Sequence, residues 1–210
     1  MSPLHQARRR ELALAMRRAV IREGAVCSLH DLAREADVSI PTIKHYFQDR
    51  SGALAAALRE VPAEAHAYVA SVADPGDMDL ATSLTALATR LAHAWVAFGV
   101  GRLFTAGMSA GMHDRVAGPG YLEGVLEPTV RALEERLRVH ARRGEADLDP
   151  ADELDVRTAA LAFLSPLLVA LLHQHALAGD TCRPLDVGAF VERHVARFTR
   201  AYGAHGKRRR

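Results

Sequence analysis

A cluster of polar and basic side chains between Ser39 and Tyr46 has the residue types best suited to chemistry. Ile43 and Phe47 lie four positions apart, so both face one side of a helix and are expected in the core. The opposite side then presents polar, aromatic and basic groups. Thr and His can contact base edges in a DNA major groove, whereas Lys and a Tyr hydroxyl can contact phosphates. The predicted DNA contacts are Ser28, Ser39, Pro41, Thr42, Lys44, His45, Tyr46 and Arg50.

Two capped helices are predicted to position this cluster. The first begins at Ser28, with Asp31 three residues later as a short form of the capping box. The second begins at Ser39, with Pro41 in its first turn, where a missing N–H group costs nothing. Asp37 lies in the connecting turn and tolerates a left-handed backbone better than most residues. The pattern predicts a helix-turn-helix; the alternative is an ordinary helical hairpin with a solvated polar face.

The sequence Thr42-Ile43-Lys44-His45-Tyr46-Phe47, followed by Asp49-Arg50 and Leu54, resembles the recognition helix of TetR-family transcriptional regulators. The similarity extends back to Gly24 and covers roughly residues 8 to 58. Two positions depart from the family pattern, since Asp37 replaces a usual Gly and Lys44 a usual Tyr. The resemblance implies a repressor that binds a pseudo-palindromic operator as a homodimer and is released by a small, largely apolar effector.

Helical periodicity along the whole chain predicts an all-α protein of about nine helices. A three-helix DNA-binding domain is predicted at residues 1–50, and an effector-binding and dimerisation domain at 51–203. A fourth helix, about 50–72 and bent at Pro62, is predicted to link them. In the resembled family this helix is the lever that transmits ligand binding to the DNA-binding head. The stretches 74–77 and 118–120 are predicted to be breaks between helices.

The first helix is predicted to open at Ser2-Pro3 and to end at Gly24. Its arginines are assigned to the face opposite the core: Arg8, Arg9, Arg10, Arg17 and Arg18. The simplest role of these arginines is solubility. The alternative is that the segment before about residue 10 is an arm close to the DNA backbone.

Composition and charge favour a soluble, cytoplasmic protein. The chain has 210 residues and a net charge of +2. Residues 1–60 carry 10 Lys and Arg against 7 Asp and Glu, a net +3, and the remainder carries 17 against 18, a net −1. The basic excess therefore lies on the helix-turn-helix side. The two cysteines are far apart in sequence, so no disulfide framework is predicted. No signal peptide is evident. The most apolar run, 159–172, is predicted to be too short for a membrane span.

The last two predicted helices, about 151–178 and 187–202, indicate a homodimer. The first follows the start signal Asp149-Pro150-Ala151-Asp152 and is apolar nearly all round between residues 159 and 172, so two of its sides must be covered. The second carries a wide apolar stripe. A four-helix bundle of two copies would cover both, and it coincides with the dimerisation region of the resembled family. Two heads could then reach successive major grooves about 34 Å apart.

Sequence motifs of enzymes, metal sites and cofactor sites do not accompany these features. The resemblance places a mostly apolar effector pocket around eight residues taken together: His93, Trp95, Phe98, Phe104, Met108, Met112, Tyr121 and Phe163. Taken singly, most of these apolar and aromatic residues are expected to be ordinary core. Two alternatives stay open, a DNA-binding regulator controlled by a protein partner without a small-molecule pocket, and an enzyme on a helical scaffold. Residues 204–210 are predicted to form a disordered basic tail.

Overall fold

The computed structural model describes residues 2–204, apart from the side chains of residues 25 and 63–65. The predicted all-α fold is confirmed, with twelve α-helical segments in the described chain. The helices are α1 (Pro3–Glu23), α2 (Leu29–Glu35), α3 (Ile40–Phe47), α4 (Arg50–Arg59), α5 (Ala63–Ala73), α6 (Leu80–Ala97), α7 (Val100–His113), α8 (Ala117–Tyr121), α9 (Glu127–Arg142), α10 (Glu153–His175), α11 (Gly179–Cys182) and α12 (Val187–Tyr202). A 3₁₀ turn occupies Gly24–Val26 and a π-helical turn Leu122–Leu126. The predicted tail, from residue 205 onward, lies outside the described residues.

The chain divides into two compact units. The first contains the chain up to His66 together with Ala97–Pro128, and the second contains Ala67–Val96 and the chain from Thr129. In space, therefore, α4, α7 and α8 group with the N-terminal helices. The predicted domain boundary at residue 50 stays a prediction.

The core of the first unit lies between α1, the helix-turn-helix and α4. Large apolar side chains from all four helices are almost completely buried: Leu12, Met16, Leu32, Ile43 and Leu54. Because each helix contributes to one shared core, the positions of α2 and α3 are fixed by packing as well as by their caps.

Arg17 corrects the prediction that the arginines of α1 all face solvent. Its side chain is 8% exposed, and Nη1 donates to the carbonyl oxygens of Leu58 and Glu60 at 2.9 and 3.0 Å. These carbonyls lie at the carboxyl end of α4, where a helix has no internal donor to offer. Burial lowers the pKa of Arg17 to about 10, so the side chain is still a cation at pH 7. A buried charge on α1 thus caps α4.

The predicted single helix over 50–72 is wrong, because α4 ends at Arg59 and α5 begins at Ala63. Glu60 already has an extended backbone, with φ −70° and ψ 124°. Pro62 disfavours a helical backbone at the preceding residue and has no N–H group to donate. The proline therefore separates two helices instead of bending one.

The prediction of a break at Gly118-Pro119-Gly120 is also wrong, since these residues lie inside α8. A Cβ atom on Gly120 would be 2.4 Å from the carbonyl oxygen of Ala55. One on Gly124, in the π-helical turn, would be 2.0 Å from the carbonyl oxygen of Leu58. These two glycines permit the backbones to come close together, so they serve packing against α4 instead of a loop.

The second unit contains α10 and α12, which pack on each other as predicted from their apolar stripes. Phe163 of α10 is fully buried and contacts Phe198 of α12 edge to face, with ring centroids 5.1 Å apart. The N-cap of α10 is Asp152, the last residue of the predicted start signal, and the helix begins at Glu153. Pro166 does not interrupt the helix, which runs for 23 residues.

The length of α10 overturns the prediction that its apolar run is too short for a membrane span. Within the described chain, α10 is the helix that meets the length and composition of such a span. About half of the apolar window, 44%, is buried inside the protein. The core helix of a soluble protein passes the same test, so this property alone is weak evidence for a membrane.

Candidate nucleic-acid interface

The caps predicted for α2 and α3 are confirmed. Ser28 and Asp31 form a capping box, in which the Asp31 N–H group donates to Ser28 Oγ at 3.2 Å and the Ser28 N–H group donates to Asp31 Oδ2 at 3.0 Å. Ser39 Oγ accepts from the Thr42 N–H group at 3.3 Å. Ser28 and Ser39 are exposed, so their hydroxyls lie on the surface where each helix begins. Caps of this kind each stabilise a helix by about 0.5–2 kcal/mol.

The corner between α2 and α3 has the left-handed residue that the sequence predicted. Asp37 has φ 51°, and its N–H group donates to the Arg34 carbonyl oxygen at 3.2 Å. The following N–H group, of Val38, donates to the Ala33 carbonyl oxygen at 3.1 Å. The turn is therefore closed without glycine, at the cost of a left-handed backbone on a residue with a side chain.

The two faces of α3 are divided as predicted. Ile43 and Phe47 are buried, at 0% and 3% exposure. Pro41, Lys44 and His45 are exposed on the other side. The remaining predicted contacts, Thr42 and Tyr46, are half-buried, and the Thr42 hydroxyl lies 2.9 Å from Ser39 Oγ.

Arg50, the last of the predicted DNA contacts, has a structural partner. Its Nε atom donates to the carbonyl oxygen of Cys27 at 2.8 Å, and the side chain is half-buried. The bond joins the start of α4 to the residue before the Ser28 cap. This bond holds the start of α4 against the start of α2. A role of Arg50 in DNA binding stays a prediction.

A tight turn joins α3 to α4. Gln48 has φ 72° and ψ −59°, and the Asp49 N–H group donates to the Phe47 carbonyl oxygen at 2.9 Å, which is a γ-turn. Asp49 caps α4 by accepting from the Gly52 N–H group at 2.8 Å. A Cβ atom on Gly52 would be 2.1 Å from the Phe47 carbonyl oxygen. The start of α4 is thus held directly against the end of α3.

The sequence prediction missed the side chains of α1 that lie on α3. The predicted start of α1 at Ser2-Pro3 is confirmed, and the segment before residue 10, for which an arm close to the DNA was the alternative, is helical. The His5 ring stacks on Tyr46 with centroids 4.7 Å apart, and the Arg9 guanidinium lies over the Phe47 ring at 5.1 Å. The spacing of these two residues with Leu12 on one face of α1 was the available signal.

Several basic side chains of α1 and α2 are held in ion pairs within their own helices. Arg8 Nη1 lies 2.7 Å from Glu11 Oε1, and Arg34 Nη2 lies 2.8 Å from Asp31 Oδ1. Hydrogen bonding to Glu11, with its charge, raises the pKa of Arg8. Such exposed pairs are weak, about 0–1 kcal/mol each, so DNA phosphates could compete for these cations.

The residues predicted for the effector pocket are distributed over the two units. In the first unit, Phe104 and Tyr121 are buried and in edge-to-face contact at 5.7 Å, while Phe98 and Met112 are about 70% exposed. The remaining member of this unit, Met108, is half-buried. In the second unit, Trp95 and Phe163 are buried and His93 is exposed. Burial raises the pKa of the Tyr121 hydroxyl.

Within the second unit, Ser83, His140 and Glu145 have the outline of a hydrolase triad. His140 Nε2 lies 2.9 Å from Ser83 Oγ, and His140 Nδ1 lies 2.6 Å from Glu145 Oε2. Ser83 and His140 have no exposed surface, so a substrate cannot reach the hydroxyl. Arg136 also donates to Ser83 Oγ, at 2.5 Å, and to carbonyls at the end of α5, including that of Ser71. The group is therefore a buried polar network that holds helices together.

The fold is similar to those of solved transcriptional regulators. A protein from Mesorhizobium loti MAFF303099, provisionally described as a TetR-family transcriptional regulator, is 20% identical; the match covers 97% of this chain and 100% of that one, with a TM-score of 0.72. A TetR transcriptional regulator from Agrobacterium tumefaciens is 20% identical over 98% of this chain and 97% of its own, with a TM-score of 0.59. GusR from Salmonella enterica is 16% identical over 95% and 98%, with a TM-score of 0.63.

These matches show the fold of the protein. The chain has the fold of TetR-family transcriptional regulators along nearly its whole length, which is the fold that the motif in α3 predicted. No protein-family profile matches the sequence, and no curated protein matches it significantly.

Proposed function

We propose that the protein is a DNA-binding transcriptional regulator, a cytoplasmic homodimeric repressor that a small, largely apolar effector releases from a pseudo-palindromic operator. The observation that carries the proposal is the face of α3. Two buried residues, Ile43 and Phe47, fix the helix in the core, while Lys44 and His45 lie exposed on its other side. The fold shared with solved regulators supports the same function.

Each side chain of this face has a role that follows from its chemistry. Lys44 is a flexible cation suited to a phosphate, and the Tyr46 hydroxyl can donate to one. Thr42 and His45 can meet base edges in the major groove. Ser28, Ser39, Pro41 and Arg50 lie at the starts of α2, α3 and α4 and would border the contact with the DNA backbone.

The second copy in the proposed dimer packs on the outer face of α10 and α12. Leu154, Leu161 and Val169 recur about every two turns along α10 and are exposed, by 73%, 38% and 64%. Two grooves of about 530 and 720 Å³ are both bordered by Pro166 and Phe190, and Val169 lines the larger one. An exposed apolar stripe of this kind is typical of a surface that is covered in the assembled protein.

The proposed effector acts on the buried aromatic residues of α7 and α8. Phe104 and Tyr121 offer a buried ring pair that an apolar molecule could contact. Phe98 and Met112 are largely exposed, which also suits the alternative of a protein partner. The two alternatives differ in assay: a small effector added alone releases the DNA, whereas a partner-controlled regulator keeps its DNA until the partner protein is added.

The salt dependence of DNA binding tests the proposal. DNA enriched from a random library by the purified protein serves as the probe, and affinity is measured between 50 and 200 mM salt. Each phosphate contact contributes about 0.9 to the slope of log K against log salt, so Lys44→Ala lowers the slope by about 0.9 per head, or about 1.8 in a dimer. Arg142→Ala, which removes an exposed cation from α9 in the second unit, leaves the slope unchanged. An unchanged slope for Lys44→Ala contradicts the assigned role.

A further inference from the structure

Three rings from two helices meet at the DNA-facing end of the first unit. The His5 ring of α1 stacks on the Tyr46 ring of α3, with centroids 4.7 Å apart and planes inclined by 28°. The same imidazole contacts the His45 ring edge to face at 5.8 Å. His45 and Tyr46 also contact each other at 5.1 Å. One side chain of α1 therefore touches two of the proposed DNA contacts.

The backbone that carries His5 is well fixed. Ser2 caps α1, and its Oγ accepts from the His5 N–H group at 3.3 Å. Two turns further along, Leu12 and Met16 anchor α1 in the core with 2% and 0% exposure. Arg9, one turn after His5, lies over the Phe47 ring at 5.1 Å. His5 thus projects from a rigid, capped helix and not from a mobile arm.

Tyr46 needs such support to act on DNA. Its ring is half-buried, so the core alone does not hold every face of it. A phosphate contact requires the Tyr46 hydroxyl at one position. Ordering a mobile side chain on binding costs conformational entropy, and this cost is smaller when the ring is already fixed in the free protein. A stacked neighbour on one face of the ring removes alternative rotamers before DNA arrives.

We propose that His5 is a positioning residue for DNA recognition: its imidazole holds the Tyr46 ring, and with it His45, in the orientation that α3 presents to the major groove. The proposal rests on the proposed function and assigns to α1 a part in the DNA-binding surface. The imidazole acts through its ring stack, without contact to the DNA.

Three single variants test the proposal on DNA enriched from a random library. Aromatic contacts of this kind contribute an amount equivalent to about a three- to tenfold change in an equilibrium constant, so His5→Ala lowers specific affinity by about that factor for each head that binds. His5→Phe keeps the stack without a donor or charge and restores affinity to within about twofold of the unsubstituted protein. Gln6→Ala, an exposed neighbour in the same turn, is the control and changes nothing.

A double-mutant cycle separates positioning from a general effect on α1. In a Tyr46→Ala background there is no phenol to position, so His5→Ala then has an effect of less than about twofold. Far-UV circular dichroism and the unfolding midpoint of each variant show whether α1 is intact. A full effect of His5→Ala in the Tyr46→Ala background overturns the proposal.

The remaining outcomes are also decisive. Equal losses for His5→Phe and His5→Ala mean that the imidazole itself contacts DNA, which overturns the positioning role while DNA binding stands. An unchanged affinity for His5→Ala overturns it as well. Enrichment of no DNA by the unsubstituted protein overturns the proposed function, and the role of His5 with it.

Discussion

We expect the substitution of Gly124, which packs against α4, to show that close packing outweighs helix propensity in the free energy of unfolding. A Cβ atom on Gly124 would be 2.0 Å from the Leu58 carbonyl oxygen and 2.6 Å from the Arg59 Cα atom. These are backbone atoms, which cannot rotate away, so α4 and the π-helical turn must move apart. Overpacking of this kind costs about 1–3 kcal/mol, and Gly124→Ala should lower the free energy of unfolding by that amount.

Gly118→Ala is the matched control, because Gly118 lies in α8 only six positions away. Its Cβ atom would be 3.4 Å from the Gly111 carbonyl oxygen, an ordinary van der Waals distance. Alanine is favoured over glycine in a helix by about 0.8–1 kcal/mol, so this variant should be as stable as the unsubstituted protein or more so. The two glycine-to-alanine variants should therefore change the free energy of unfolding in opposite directions.

Urea unfolding followed by circular dichroism, at one protein concentration, measures both variants. Because α4 begins directly after α3, Gly124→Ala should also weaken binding to enriched DNA at temperatures where the variant is folded. Equal stability of Gly124→Ala and Gly118→Ala would refute the close packing of this turn on α4.

Three further outcomes follow from buried or strained residues. Arg17→Met leaves the carbonyls at the end of α4 without their donor and should cost about 2–4 kcal/mol in urea unfolding, whereas a cost below about 0.5 kcal/mol would contradict the capping role. Burial, with the nearby Asp31 charge, raises the pKa of the Cys27 thiol to about 11. The folded chain should therefore react rapidly with a thiol reagent at the exposed Cys182 alone, and the unfolded chain at both cysteines. Two rapidly reacting thiols in the folded chain would contradict this prediction. Asp37→Gly relieves the left-handed backbone and should raise the free energy of unfolding by about 0.5–1 kcal/mol. A lower free energy of unfolding would show that the Asp side chain stabilises the turn.

The parts of the fold that were predictable depend on interactions within a few residues. The capping box of Ser28 and Asp31, the Ser39 cap and the left-handed turn at Asp37 are all local, so residue types at fixed spacing indicate them. The alternation of buried Ile43 and Phe47 with exposed Lys44 follows from helical periodicity alone. The face of the candidate site was predictable for the same reason.

The parts that were not predictable depend on partners far along the chain. Arg17 is buried because its donors meet carbonyls 41 and 43 residues away, which no pattern within α1 indicates. Gly120 is a typical helix breaker in sequence, and only the approach of α4 explains why it lies in a helical turn. No role was predicted for His5, because its stacking partner, Tyr46, is on another helix.

The central claim, a homodimer that binds pseudo-palindromic DNA through α3, is tested most directly by the mass of the protein–DNA complex. DNA is enriched from a random library with the purified protein, and the complex is measured by light scattering at micromolar concentration. We predict two chains on one duplex whose enriched sequence is a pseudo-palindrome, with half-sites about one helical turn, 34 Å, apart. A complex with one chain on each duplex, or the enrichment of no sequence, would contradict it.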